Sequence, residues 1–284
     1  MHNPSRRAML AGALALAGCG GPPGQPRVVP PKTLEEAVSG AWRTPADRAR
    51  DRWRHPIESL KFWGLEPGDT VVEFWPGAGW YTEIIAPFLN ATRGKLYAAH
   101  LQVGEDADQA TREMVEAYRT RYARKSRLYG QVEVTAFGPT SGPVAPAGSV
   151  DLVLFLRNLH NWMAAGIAEK AFRDAFLALK SGGVLGVEEH RAEPGGVPDL
   201  LAESGYVDQA LAIRLGQEAG FRLEATSEIN ANPKDTRDHP FGVWTLPPVR
   251  RSSPRGQPPD PGFDRARYDA IGESDRMTLK FVKP

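Results

Sequence analysis

The stretch Thr70-Val71-Val72-Glu73-Phe74-Trp75-Pro76-Gly77-Ala78-Gly79-Trp80-Tyr81-Thr82 begins as a β-branched, apolar run and ends in a Pro-Gly-Ala-Gly turn. Residues 70–74 predict a strand, introduced by Pro67-Gly68-Asp69, and 80–89 predict a helix, so the glycines stand at a strand-to-helix junction. Glycine lets the backbone approach a ligand closely and take positive φ, and the following helix presents free N–H groups. Taken alone, such a turn fits several nucleotide-binding folds and equally a purely structural tight turn.

Outward from the turn, strand and helix patterns alternate. Strands are predicted over 95–100, 132–137, 150–155, 184–188 and 221–229, with helices over 107–127, 167–179 and 207–219 between them. The run over 150–155 is the most continuously apolar, as a central parallel strand requires. Residues 33–66 read as a helical cap. The prolines between 232 and 271 forbid regular pairing, so that segment reads as a surface excursion. Residues 276–282 alternate apolar and polar side chains and read as a strand returning to the sheet. The fold class is therefore α/β, doubly wound, in one domain over 33–284.

Glu73, then Gly77-Ala78-Gly79, Asp151-Leu152-Val153 and Leu179-Lys180-Ser181-Gly182-Gly183 resemble the successive signatures of class I S-adenosylmethionine-dependent methyltransferases. The resemblance covers about 54–284. More narrowly, Arg54-His55-Pro56, the turn itself, Leu159-His160-Asn161-Trp162 and the ending over 272–281 resemble a bacterial group of predicted methyltransferases. It implies a mostly parallel, seven-stranded, Rossmann-like sheet with the last strand antiparallel. It also implies S-adenosylmethionine across the carboxyl ends of the first strands. Glu73 would then face the methionine amino group, with a capping carboxylate as the alternative. Gly77 and Gly79 would make room for the ribose and methionine portions, with Ala78, Trp80, Tyr81, His100 and Asn158 lining the cofactor site. His100 stands where an acid usually accepts from both ribose hydroxyls. A neutral imidazole has one acceptor nitrogen, so cofactor affinity is reduced, or Glu105 or Asp106 substitutes.

Methyl transfer gains from alignment and from a base where the acceptor must lose a proton. His160, Asn161 and His190 are the catalytic candidates. His160 suits a base near neutrality, the alternative being a structural hydrogen-bonder beneath Trp162. No metal is expected, because no spacing recommends a His160–His190–carboxylate set over pocket lining. Trp75 reads as packing. Without a Gly-x-Ser-x-Gly elbow, an esterase lacks its nucleophile.

The 35 Lys and Arg nearly balance the 34 Asp and Glu, which argues against a nucleic-acid partner. The single cysteine, Cys19, excludes an internal disulfide. Arg6-Arg7, an apolar run over 8–17 and Leu16-Ala17-Gly18-Cys19 read as a twin-arginine export signal ending in a lipobox over 1–19. A Gly/Pro-rich tether follows over 20–32. The expectation is a lipid anchor at Cys19 on the periplasmic side of a bacterial membrane. The functional expectation is a methyltransferase acting on a small molecule or envelope component; the alternative is a non-catalytic, ligand-binding lipoprotein that retains the fold.

Overall fold

The computed structural model describes residues 29–196 and 199–284. The expected export signal and lipobox with Cys19, and most of the expected tether, lie outside the described residues. The chain runs α1 (Leu34–Val38), α2 (Pro45–Arg48), α3 (Asp51–Arg54), α4 (Pro56–Trp63), β1 (Thr70–Phe74), α5 (Thr82–Thr92), β2 (Lys95–Leu101), α6 (Gln109–Arg124), α7 (Ser126–Tyr129), β3 (Val132–Phe137) and β4 (Val150–Leu156). It continues through α8 (Leu159–Ala164), α9 (Ala168–Ala178), β5 (Leu179–His190), α10 (Gln209–Glu218), β6 (Arg222–Ser227), β7 (Pro240–Val243), α11 (Arg265–Ile271) and β8 (Arg276–Val282).

Seven strands form one sheet in the order β3-β2-β1-β4-β5-β8-β6. Strands β1 to β5 are parallel, and β8 is antiparallel to both β5 and β6. The short β7 stays outside the sheet. Strand order reverses between β1 and β4, and the crevice beyond the carboxyl ends of such a pair is where open α/β sheets bind ligands. Two apolar clusters flank the sheet. One gathers Phe74, Phe137, Phe155, Trp162 and Phe172 on one face; the other gathers Trp63, Leu60, Ile84, Phe88 and Tyr122 on the opposite face.

Tryptophans bind the cap over 33–66 to the sheet and to α5. Trp63 lies on β5, where a Cβ at Gly186 would stand 2.6 Å from its ring, and its Nε1 donates to the Leu279 carbonyl at 3.0 Å. Pro87 inside α5 has no N–H to give the Glu83 carbonyl one turn earlier. Trp42 Nε1 donates to that carbonyl at 2.8 Å, so the buried acceptor is satisfied.

Two expectations need correction. Residues 232–271 are not a mere surface excursion: Asn232, Asp235, His239, Thr245 and Leu246 are buried. Asp235 accepts from Tyr206 Oη, His239 Nε2 and the Asp275 amide, so side chains supply the partners that regular pairing would have given. The predicted strand over 184–188 extends back to Leu179, with a register irregularity against β4 between Val150 and Leu152.

Candidate functional site

The turn after β1 alternates left-handed residues, with φ of 43° at Trp75, 58° at Gly77 and 90° at Gly79. The two glycines serve different ends. A Cβ on Gly79 would stand 1.9 Å from Tyr122 Oη, so close packing of α6 requires the glycine. A Cβ on Gly77 would meet nothing within 4 Å, so this position opens onto free space. Trp75 holds its unfavourable φ by packing at 5.8 Å against the Trp162 ring and donating from Nε1 to the Phe137 carbonyl at 2.9 Å.

Beside the turn lies a cavity of about 310 Å³ lined by Gly77, Ala78, Gly79, Trp80, Arg157 and Asn158 together with Arg50 and Arg54 of the cap. That is near the lower end of roughly 300–1,000 Å³ for small-molecule sites. A second cavity of about 190 Å³ is lined by His160, His190, Trp244, Leu246, Ser274 and Glu273. Arg54 and Arg157 line both. A larger hollow of about 590 Å³ between α6 and β3, lined by Arg119, Tyr122 and Gln131, lies away from these carboxyl ends.

Sequence candidates divide between the cavities and their supports. Glu73 lies beneath the turn, 2 % exposed and outside the cavity lining. Its Oε2 accepts from Thr82 Oγ1 at 2.6 Å, and burial pushes its carboxyl up to about 7 despite Thr82 and Arg157. Asn158 spends its amide on the Phe74 and Trp75 carbonyls, stapling the end of β4 to the end of β1. Tyr81 turns inward, with Oη 3.3 Å from Glu188 Oε2. Asn161 is exposed and lines neither cavity.

His100 does not offer itself to a ribose. Its Nδ1 accepts from the Leu101 amide at 2.8 Å, which places the proton on Nε2, and Nε2 donates to the Gly77 carbonyl at 3.1 Å. Both ring nitrogens are used within the protein, and burial lowers its pKa. Glu105 and Asp106 are exposed and line neither cavity.

His160 opens α8. Its Nδ1 lies 3.0 Å from Glu189 Oε1, and Glu189 also accepts the His160 and His190 amides. Two positions along the helix, Trp162 points instead into the aromatic cluster against Phe74, Phe137 and Phe155. His160 therefore does not sit beneath Trp162. His190 Nδ1 meets Ser274 Oγ at 2.5 Å. Burial, His160 and then Arg276, Arg157 and Arg54 hold the His190 imidazole neutral, well below its ordinary pKa. Ligand atoms of His160, Glu189 and His190 lie within 4.8 Å of one another. The surrounding guanidinium charge opposes a cation there.

Sequence reasoning missed Glu188, Glu189, Glu273 and Arg276, and gave Arg54 no role beyond its place in a motif. Glu188 stands 3.0 Å from Arg157 Nη1 and 2.9 Å from Arg276 Nε. Glu273 pairs with Arg50, Arg54 and Arg276 at 2.7, 2.9 and 2.8 Å. Although burial opposes it, Arg54, Arg276 and Arg50 hold the Glu273 carboxyl at about 2. The missed signal was the acid pair at 188–189 ending a strand buried on both faces, since each buried charge demands a partner from its own side.

No protein-family model and no curated protein matches the sequence. Among solved structures, the chain is similar to an S-adenosylmethionine-dependent methyltransferase from Aquifex aeolicus, at 20% identity and TM-score 0.50 over 70% of this chain and 93% of that one. It is also similar to the [4+2]-cyclase SpnF, at 16% identity and TM-score 0.52 over 87% and 84%. The fold is that of class I S-adenosylmethionine-dependent methyltransferases. With a cyclase among its members, the fold does not by itself fix the reaction.

Proposed function

We propose that this chain is an S-adenosylmethionine-dependent methyltransferase that acts on a small molecule. The observation that carries the reading is Gly77, whose missing side chain leaves open space at the β1–β4 switch point. That space belongs to a cavity sharing its Arg54–Arg157 wall with a histidine-lined one. Two adjoining cavities suit a donor and an acceptor that must align without sharing a site.

The turn cavity would hold the cofactor, with Gly77, Ala78 and Trp80 around it and Glu73 beneath as a counter-charge to its ammonium. Bound there, the cofactor supplies an electrophilic methyl group. The residues fit the methionine end better than the ribose, because His100 leaves no acceptor free. On the acceptor side, His160 is held through Nδ1 by Glu189, and its Nε2 lacks a hydrogen-bond partner among the described residues. That nitrogen can take a proton from the acceptor.

Titration of the chain with S-adenosylmethionine and S-adenosylhomocysteine tests this. Saturable binding that is lost on Gly77→Val supports the reading, and no binding of either compound removes it. A second reading, a ligand-binding protein without turnover, is favoured by the commitment of both His100 nitrogens. It predicts binding of S-adenosylhomocysteine with no consumption of S-adenosylmethionine when pooled envelope small molecules are added. We also infer lipid anchoring at Cys19 and residence on the periplasmic face, supported by the sequence over 1–19. Mass analysis of the N-terminal peptide from a membrane fraction checks it.

A further inference from the structure

We propose that the Arg54–Arg157 wall binds a carboxylate or phosphate group carried by the molecule in the histidine-lined cavity. The assignment of that molecule as the methyl acceptor rests on the function proposed above; the anion site itself does not.

Four arginines, Arg50, Arg54, Arg157 and Arg276, meet two bridging carboxylates, Glu188 and Glu273. The other acids around the two cavities are engaged elsewhere: Glu189 by His160 and two backbone amides, Glu73 by Thr82, Glu83 by Arg121 and Tyr129, and Asp47 by Thr44. Arg54 is 5 % exposed, yet among the described residues only its Nε finds a side-chain acceptor, Glu273. Its guanidinium lies 4.7 Å from the centre of the Trp80 ring, which orients it along the cavities without supplying an acceptor. Arg157 Nη1 is within ion-pair distance of Glu188 but is not aligned for a hydrogen bond. Its backbone is left-handed, with φ of 61°, a conformation that costs energy in a side-chain-bearing residue and tends to mark functional positions.

Burial and then the Arg157 charge lower the Arg54 pKa to about 9, so the two guanidiniums repel across the wall. An anion bridging them would relieve that repulsion and use donors that now lack acceptors. Apart from these arginines, the histidines, Ser274 and Glu273, which is already paired with Arg50, Arg54 and Arg276, the lining of the second cavity is apolar: Val243, Trp244, Leu246, Pro247, Pro248 and Val249. A volume of about 190 Å³ admits a small body, so the ligand class is a small apolar molecule with one anionic end. The same positive field disfavours the alternative occupant, a metal ion on His160, Glu189 and His190.

The test uses the full chain and three probes: benzoate, its neutral analogue benzamide, and inorganic phosphate. Benzoate is expected to bind saturably and benzamide at least tenfold more weakly. Arg54→Gln and Arg157→Gln should each weaken benzoate tenfold or more, with Arg157→Lys recovering part of the loss. Because those variants disturb a buried network, Trp244→Ala provides a second arm outside it, and should weaken benzoate while leaving phosphate unchanged. If neither benzoate nor phosphate binds in preference to benzamide, the anion site is refuted. If benzoate competes with S-adenosylhomocysteine but not with 5′-methylthioadenosine, the arginines read the cofactor's own carboxylate, and the acceptor assignment falls. If benzoate binds while S-adenosylhomocysteine does not, the anion site stands and the methyltransferase reading fails separately.

Discussion

Replacing Glu73 with Gln should flatten the dependence of stability on pH in a predictable window. The carboxyl is fully buried, and burial raises its pKa from an ordinary 4.5 to about 7. The folded state therefore holds this proton more tightly than the unfolded chain. The stabilisation is complete below pH 4.5 and is lost as pH rises through 7. At about 1.36 kcal/mol per pH unit, a difference of about 2.5 units corresponds to about 3 kcal/mol. Glu73→Gln keeps the shape and the capability to accept from Thr82 but cannot ionise. Urea unfolding at pH 5 and pH 8 should show the wild type losing about 2.5 kcal/mol more than the variant between those values, since pH 5 already lies slightly above the unfolded pKa.

The same carboxyl connects stability to ligand binding. If a cofactor ammonium draws Glu73 into its charged form, binding near pH 6 must release a proton. Calorimetry in two buffers of different ionisation enthalpy counts it. About one proton per molecule of S-adenosylhomocysteine is expected at pH 6, and affinity should rise about tenfold between pH 6 and pH 8 in wild type but not in Glu73→Gln. Equal pH dependence of stability in the two proteins would refute the burial argument itself. Binding without proton release would leave that argument intact and remove Glu73 from the cofactor's surroundings.

Other substitutions separate structural from ligand-facing roles. Gly79→Ala drives a methyl into Tyr122 and should cost several kcal/mol in thermal or urea unfolding, whereas Gly77→Ala costs only about 1–2 kcal/mol for its left-handed φ. Gly77→Ala should nonetheless weaken S-adenosylhomocysteine binding in calorimetry. Glu273→Gln leaves Arg50, Arg54 and Arg276 without their shared carboxylate and should destabilise by about 3–5 kcal/mol in urea unfolding. His160→Gln should leave S-adenosylhomocysteine affinity unchanged while lowering turnover about 100-fold or more, the usual worth of a general base. A parallel loss of affinity would show that His160 shapes the cofactor cavity instead.

The sheet was legible in the sequence because its strands announce themselves locally. Thr70–Phe74 and Val150–Leu156 are apolar runs closed by turn residues, and a central parallel strand buried on both faces must read that way. The six-residue α8 was not legible, since so short a helix carries too little periodicity to register. Residues 232–271 misled for a related reason. Their prolines exclude ladder pairing, but burial there is achieved through side-chain hydrogen bonds from Asn232 and Asp235, which leave no periodic trace. At the site, the glycine pattern marked the right turn but could not separate Gly77, which faces open space, from Gly79, which faces Tyr122. That difference depends on where α6 lies.

His100 and Arg54 show why a site's chemistry is harder to read than its location. From the sequence, His100 looked like a substituted ligand; in the fold it satisfies the Gly77 carbonyl and so holds the open position in place. Arg54 sits in the cap, Arg157 after β4, Glu188 near the end of β5, and Glu273 and Arg276 at the start of the last strand, so the wall between the cavities is assembled from distant parts of the chain. Because β8 lies between β5 and β6, the wall cannot form until the final residues have entered the sheet. Buried ion pairs of this kind contribute little net stability, yet breaking one is costly. Their physical consequence here is to make the geometry of both cavities conditional on a completed fold.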